Sequence, residues 1–378
     1  MPTSSLPMID VHVHVGLLGD RWPQWGRLSP WYRQQLVYRI FLLYSRIPED
    51  RVCDQTLREA TIEIIGRSMA GPPRQVCLAL DPVYDKQGQR REDRSHVWVD
   101  NDYVLALREE LPDKILFGAS VHPYDPLFRE RLRKYADAGA ALVKWLPSAQ
   151  QIDLAEDAVR RAMIDMATAG PGGRPLPLLL HVGPEYAIPS SDPTTQSYDF
   201  LSWSGWDKFW NWFRGRKRWR TPQVDKIHAN IRAALGEGAV IIFAHCGLPY
   251  FSTGLFGNLL EHSDFKIVKD YLMKNETAGY SGRCYADISA CCTPFRQKFF
   301  KDIATLPAGY LLYGSDFPTP SFELSAGLGD IMADLKAVLD GHLDRIIVPE
   351  GNLLDVNYRE LAHFFPEHPL FINFSRLL

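Results

Sequence analysis

Histidine and aspartate recur in this chain at the ends of short apolar runs. The first run is MIDVHVHVG, from Met8, and the others are LPLLLHVG at 176–183, AVIIFAHCG at 239–247 and YLLYGSDFP at 310–318. Imidazole nitrogen and carboxylate oxygen both bind divalent metals. A strand shows alternate residues to one face, so Asp10, His12 and His14 are expected on one side and Ile9, Val11, Val13 and Val15 on the other. A single histidine at a strand end is more often a structural hydrogen-bonding residue than a ligand. Repetition at four strand ends is what points to a metal centre built from His12, His14, His181, His245 and Asp316.

Such residues meet only if their strands are parallel and closed into a ring. The fold expected is α/β, a (β/α)₈ barrel carrying its site on the C-terminal face, with long insertions after strands 1 and 5. Strand 1 is 8–14, strand 2 Gln75 to Leu80 and strand 3 Ile115 to Val121; strand 4 ends at Lys144. Strands 5 and 6 are the runs before His181 and His245, strand 7 is Cys284 to Ser289 and strand 8 Leu311 to Ser315. Helical patterns fall between them at Asp102 to Glu110, Pro126 to Ala138, Leu154 to Thr168, Pro222 to Leu235 and Phe322 to Leu339, with a last helix near Tyr358 to Phe365. Alternating strand and helix is the sequence form of βα units.

The chain has 378 residues, more than the roughly 250 of a minimal barrel, which favours one domain over 1–378 with excursions at 16–70 and 184–222. A net charge of −3 with 23% charged residues gives no nucleic-acid footprint. The six cysteines show no CxxC pair and the start MPTSSLPMID has no apolar signal core, so a reduced cytoplasm is the simpler setting. No apolar run approaches the roughly 20 residues of a membrane span.

Four other residues near strand ends have more than one reading each. His122, where strand 3 meets its loop, contacts substrate, supports a ligand, or stabilises a turn. Asp287 orients a ligand or binds substrate. Asp10 fixes the His12 tautomer by accepting its ring N–H, or caps backbone donors. Lys144 is a cation for an anionic substrate group, a partner for a carboxylate, or a side chain reaching solvent. Tyr124 and Glu185 join His122 and Lys144 as candidates for substrate contact.

Eight of the ten tryptophans leave the barrel core: Trp22, Trp25 and Trp31 after strand 1, and Trp203, Trp206, Trp210, Trp212 and Trp219 after strand 5. Both insertions follow a strand, so both emerge on the face of the metal and read as lids. The second continues into the basic run RGRKRWR at 214–220, which suits a pocket wall or a homo-oligomer contact, with peripheral membrane contact the lesser alternative.

The set IDVHVH, LLLHVG, IIFAHCGLP and LLYGSDFP resembles the amidohydrolase superfamily, in the style of its amidohydrolase-2 branch, over roughly residues 8 to 355. The resemblance implies that His12, His14, His181 and Asp316 hold a divalent metal, zinc by default, and that His245 is either a ligand of a second metal or an acid/base. It also implies that Lys144 can be carbamylated to bridge two metals. By the same resemblance Asp316 shuttles the proton of a metal-activated water while the metal polarises a carbonyl. Three functions follow: a hydrolase of a small ester, lactone or amide; a one-metal decarboxylase or hydratase with His245 as acid/base; or a catalytically silent binding or membrane-docking protein.

Overall fold

Runs of leucine, isoleucine and valine flanked by turn residues become short buried strands. The computed structural model describes residues 6–183, 185, 187–202, 223–248, 264–280, 283–293, 296, 299–319 and 350–378. Among them, eight parallel strands form one sheet: β1 (Ile9–His14), β2 (Arg74–Leu78), β3 (Ile115–Ala119), β4 (Ala140–Trp145), β5 (Leu178–Leu180), β6 (Ile241–Phe243), β7 (Cys284–Asp287) and β8 (Leu311–Leu312). Each pairs with the next in chain order. The ring closes where the Val11 N–H donates to the Tyr313 carbonyl at 3.0 Å, the Asp316 N–H to the His12 carbonyl at 2.8 Å and the His14 N–H to the Phe317 carbonyl at 2.8 Å. The barrel expected from the sequence is present.

Helices α1 (Leu36–Tyr44), α2 (Asp54–Arg67), α3 (Asn101–Glu110), α4 (Phe128–Asp137), α5 (Asp157–Asp165), α6 (Val224–Gly236), α7 (Asp264–Met273) and α8 (Leu353–Phe364) are interspersed with the strands. The last begins five residues before the expected Tyr358, because the Asn352 side chain caps it by accepting the Leu354 N–H at 3.0 Å. The expected helix at Phe322 to Leu339, the insertion tryptophans from Trp203 to Trp219 and the basic run at 214–220 lie outside the described residues.

The alternation expected for β1 does not hold. A bulge between Asp10 and Val13 shifts the pairing with β2 by one residue. Ile9 and Val11 therefore pack inside the barrel with Val76, Leu142, Leu179, Ile242 and Leu312, closed off by Phe374, while Val13 packs with the outer core. The bulge still leaves both His12 and His14 turned toward the mouth. Gly314 makes room for this, since a Cβ there would lie 2.9 Å from the His12 Cβ and 3.0 Å from that of Ser289.

The first insertion is anchored by one carboxylate. Buried Asp54, the first residue of α2, accepts the backbone N–H groups of Leu18 at 2.7 Å, Gly19 at 3.0 Å, and Arg21 and Trp22 at 2.8 Å. Its tryptophans turn away from the mouth: Trp22 and Trp25 sit 5.8 Å apart against the core, and Trp31 stacks on His96 at 4.3 Å. Asp54→Ala leaves four donors without their acceptor and is expected to cost on the order of 3 kcal/mol in urea unfolding, with the barrel's far-UV dichroism retained in the folded state.

All six cysteines are free thiols, five of them buried. No helix among the described residues is long and apolar enough to cross a membrane.

Candidate metal centre

The C-terminal ends of the strands bring His12, His14 and Asp316 to one point. The two Nε2 atoms lie 3.1 Å apart, and each is 3.3 Å from Asp316 Oδ1. Three atoms each about 2.0–2.2 Å from a common tetrahedral ion would stand about 3.4 Å apart, so the donor set fits a divalent metal. These three form one of two groups among the described residues that suit a metal ion. The other is His12, His245 and Asp287, but there Asp287 Oδ2 already lies at hydrogen-bond distance from His12 Nδ1, 2.9 Å.

Asp287 organises the centre from below. Its Oδ2 accepts a hydrogen bond from His12 Nδ1–H, leaving Nε2 with a bare lone pair toward His14 and Asp316. Its Oδ1 accepts the His245 N–H at 2.9 Å and the Ser289 N–H at 3.0 Å, and also the Ser289 hydroxyl. With that hydroxyl proton committed, Ser289 Oγ can only accept from His245 Nδ1, 2.7 Å away. His245 then offers Nε2 as a lone pair, suited to a ligand or a base. Burial would raise the Asp287 pKa, yet the His12 and His245 rings outweigh it and hold the carboxyl below its usual range.

Asp316 and His245 both sit in the left-handed backbone region, with φ of 60° and 56°. Strain of this kind is maintained by surrounding structure and clusters at functional sites. Asp316 Oδ2 accepts from the Thr319 hydroxyl at 2.9 Å. Burial pushes the Asp316 pKa up, but His245, His12 and His14 more than reverse it, so the carboxylate stays ionised. Burial lowers His14 to about 4 and His245 to about 3, keeping both rings neutral and able to bind metal.

Around this group stand Lys144, His181 and Glu185. Lys144 is fully buried, its Nζ 3.2 Å from His12 Nε2, which rules out its reading as a side chain reaching solvent. Burial lowers its pKa, opposed by Asp287, Asp316 and Glu185. His181 lies outside both three-residue groups; its ring is 5.1 Å from that of His245, and its buried Nε2 lacks a hydrogen bond although Glu185 Oε2 is 3.4 Å away. An orphaned imidazole nitrogen at this place is a free ligand position. Glu185 accepts the Ile188 N–H at 2.8 Å, and burial raises its pKa to about 7.

Three expected site residues are placed elsewhere. Asp10 faces away from the His12 ring and caps backbone donors, accepting from His12 and Ser315 at 3.0 Å each. The bulge in β1 puts it there, and Asp287 takes the orienting role. His122 turns sideways: its N–H binds Asp81 at 2.9 Å and its Nε2 the Gln150 carbonyl at 2.8 Å. Tyr124 directs its hydroxyl to the Asp153 N–H at 3.2 Å. Neither lines the cavity above the centre, which His14, His181, Glu185, His245 and Asp316 do. Sequence reading missed Ser289 and Thr319; the signal for Ser289 was its position two residues after Asp287, on the same strand face.

No protein-family model matches this sequence, and no curated protein matches it. Solved structures similar to this chain include 5-carboxyvanillate decarboxylase from Sphingomonas paucimobilis, with 12% identity, 96% of this chain and 99% of that chain covered and a TM-score of 0.44. They also include 2,6-dihydroxybenzoate decarboxylase from Rhizobium, with 11% identity, 95% and 98% covered and a TM-score of 0.43. An amidohydrolase 2 from Bifidobacterium longum shares 16% identity over 94% of this chain and 100% of that one, with a TM-score of 0.41.

Proposed function

We propose that this chain is a metal-dependent hydrolase of the amidohydrolase type, acting on a small ester, lactone or amide. The observation that carries the reading is the convergence of His12 Nε2, His14 Nε2 and Asp316 Oδ1 within 3.3 Å, with the far nitrogen of His12 tied to Asp287. In this reading His12, His14, His181 and Asp316 hold a divalent metal, zinc by default for three imidazoles and a carboxylate. A metal there supplies a Lewis acid for a carbonyl and brings the pKa of water toward about 7.

The chain's own groups handle the protons. Asp316, kept ionised by three histidines, accepts a proton from the attacking water and returns it to the leaving group. Thr319 holds the second carboxylate oxygen and so limits rotation of the base. Lys144, with its charged form disfavoured by burial, offers the neutral amine that adds carbon dioxide: Nζ bonds to the carbon, loses a proton and becomes a carbamate. That carboxylate and His245 would complete a two-metal site.

The Ser289 contact also allows a second reading. It leaves His245 Nε2 with a free lone pair, which would serve a second metal in the first reading and a base in a one-metal decarboxylase or hydratase with Lys144 unmodified. Metal content per chain separates the two, measured by plasma mass spectrometry on protein prepared with and without bicarbonate and on Lys144→Ala. Two metals that fall to one or none in the variant are expected for the hydrolase. One metal, indifferent to Lys144, would instead establish the second reading.

The same proposal takes 1–378 as a single domain with lid-type insertions at 16–70 and 184–222, a small-molecule substrate and a reducing, cytoplasmic setting consistent with six free thiols.

A further inference from the structure

The cavity above the centre continues well past the ligands. Its polar end is His14, His181, Glu185, His245 and Asp316, and its far wall comes from the first insertion, including Tyr32, Phe41, Leu42, Leu57, Ala60 and Ile64. That wall is a built element. Leu28, Tyr32, Tyr38, Leu42 and Ile47 form a buried cluster of their own, separate from the barrel clusters, and Asp54 pins the loop that carries it. Barrel residues Leu78, Leu80, Leu146 and Phe317 face it across the opening.

Two polar observations sharpen the chemistry. Among the described residues the cavity lining holds no lysine or arginine, so a carboxylate carried on the ring would lose its hydration against the apolar wall without gaining a cationic partner. The Tyr32 hydroxyl has no hydrogen-bond partner among the described residues, although the side chain is only 2% exposed. Tyr32 lines the cavity, so its hydroxyl can donate to an acceptor that enters there.

We propose that this cavity is a subsite for an uncharged, ring-bearing part of the substrate, walled by the Leu28–Ile64 insertion, with Tyr32 donating to a single neutral oxygen on that ring. It rests on the metal-centre reading, because the reacting carbonyl must lie at the polar end. The subsite selects aryl esters, lactones or amides and rejects ring carboxylates.

Calorimetric titration of the zinc-loaded full chain with hydroxamates tests this without requiring turnover. Acetohydroxamate reports the centre alone, and benzohydroxamate adds a ring. The ring is expected to tighten binding by about 30-fold, from roughly 80 Å² of apolar surface removed from water. A 4-carboxyl group on the ring should abolish that gain. Ala60→Phe and, independently, Leu57→Phe should each erase the ring's advantage while leaving acetohydroxamate binding unchanged. Among ring-hydroxylated benzohydroxamates, the best isomer should lose about tenfold in Tyr32→Phe, the loss of one buried hydrogen bond. Equal affinity for acetohydroxamate and benzohydroxamate overturns the subsite while leaving the centre intact. Failure of every hydroxamate to bind overturns the metal-centre reading itself.

Discussion

Asp316→Asn is expected to lower kcat/KM by about 1,000-fold on any ester or lactone the protein turns over, the size of a lost general acid–base step. The replacement is nearly isosteric, and asparagine tolerates the left-handed backbone that residue 316 adopts, with φ of 60°. The Thr319 contact also survives, because an amide oxygen accepts from the hydroxyl as a carboxylate does. The change therefore reads the missing charge and proton site and not a displaced loop. Metal content should be measured on the same sample. Retained metal with lost turnover assigns Asp316 the proton-transfer role, whereas turnover within tenfold of the parent would remove it from the mechanism.

Asp287→Asn is expected to act more broadly. The carboxylate accepts hydrogen bonds from the His12 ring N–H, two backbone N–H groups and the Ser289 hydroxyl, so it sets the orientation of two imidazoles at once. An amide in its place turns a donor toward a neighbour that is itself a donor. Metal affinity, followed by competition with a chelator, should fall about 10- to 100-fold, as it does when the partner of a metal-binding histidine is lost. Stability should fall by about 3 kcal/mol in urea unfolding of the metal-free protein, since buried donors lose their acceptor. Unchanged metal affinity would mean that Asp287 does not orient His12, whose Nδ1 also lies 3.1 Å from Ser289 Oγ.

The candidate metal residues were legible because each sits after a run of apolar residues, and the closed parallel sheet brings such positions to one mouth. His12, His14, His245 and Asp316 needed no more than that. Less visible was anything decided by the path of the backbone after the strand. His122 follows β3 by three residues, and in that distance the chain turns toward Asp81 and Gln150. The bulge in β1 carries no residue-type signal, so the single face expected for Ile9, Val11 and Val13 is split and Asp10 does not share the face of the histidines. Tryptophan content suggested which insertion residues cover the site, but the described indoles of the first insertion, Trp22, Trp25 and Trp31, pack against the core or a histidine, and Tyr32 and Tyr38 line the cavity. Side-chain size marks a residue as covering something without saying what.

Ring closure between β1 and β8 has a kinetic consequence. The centre joins residues roughly 300 positions apart, and bringing such distant segments together costs about 5 kcal/mol of chain entropy before any contact between them repays it. Local βα units can form earlier, but the donor set exists only once the last strand has docked on the first. Metal ions present during refolding would then bind late and selectively to closed barrels, pulling the equilibrium toward them by mass action. A metal held by these residues would act as a latch, one that cannot be loaded until the fold it fastens is complete.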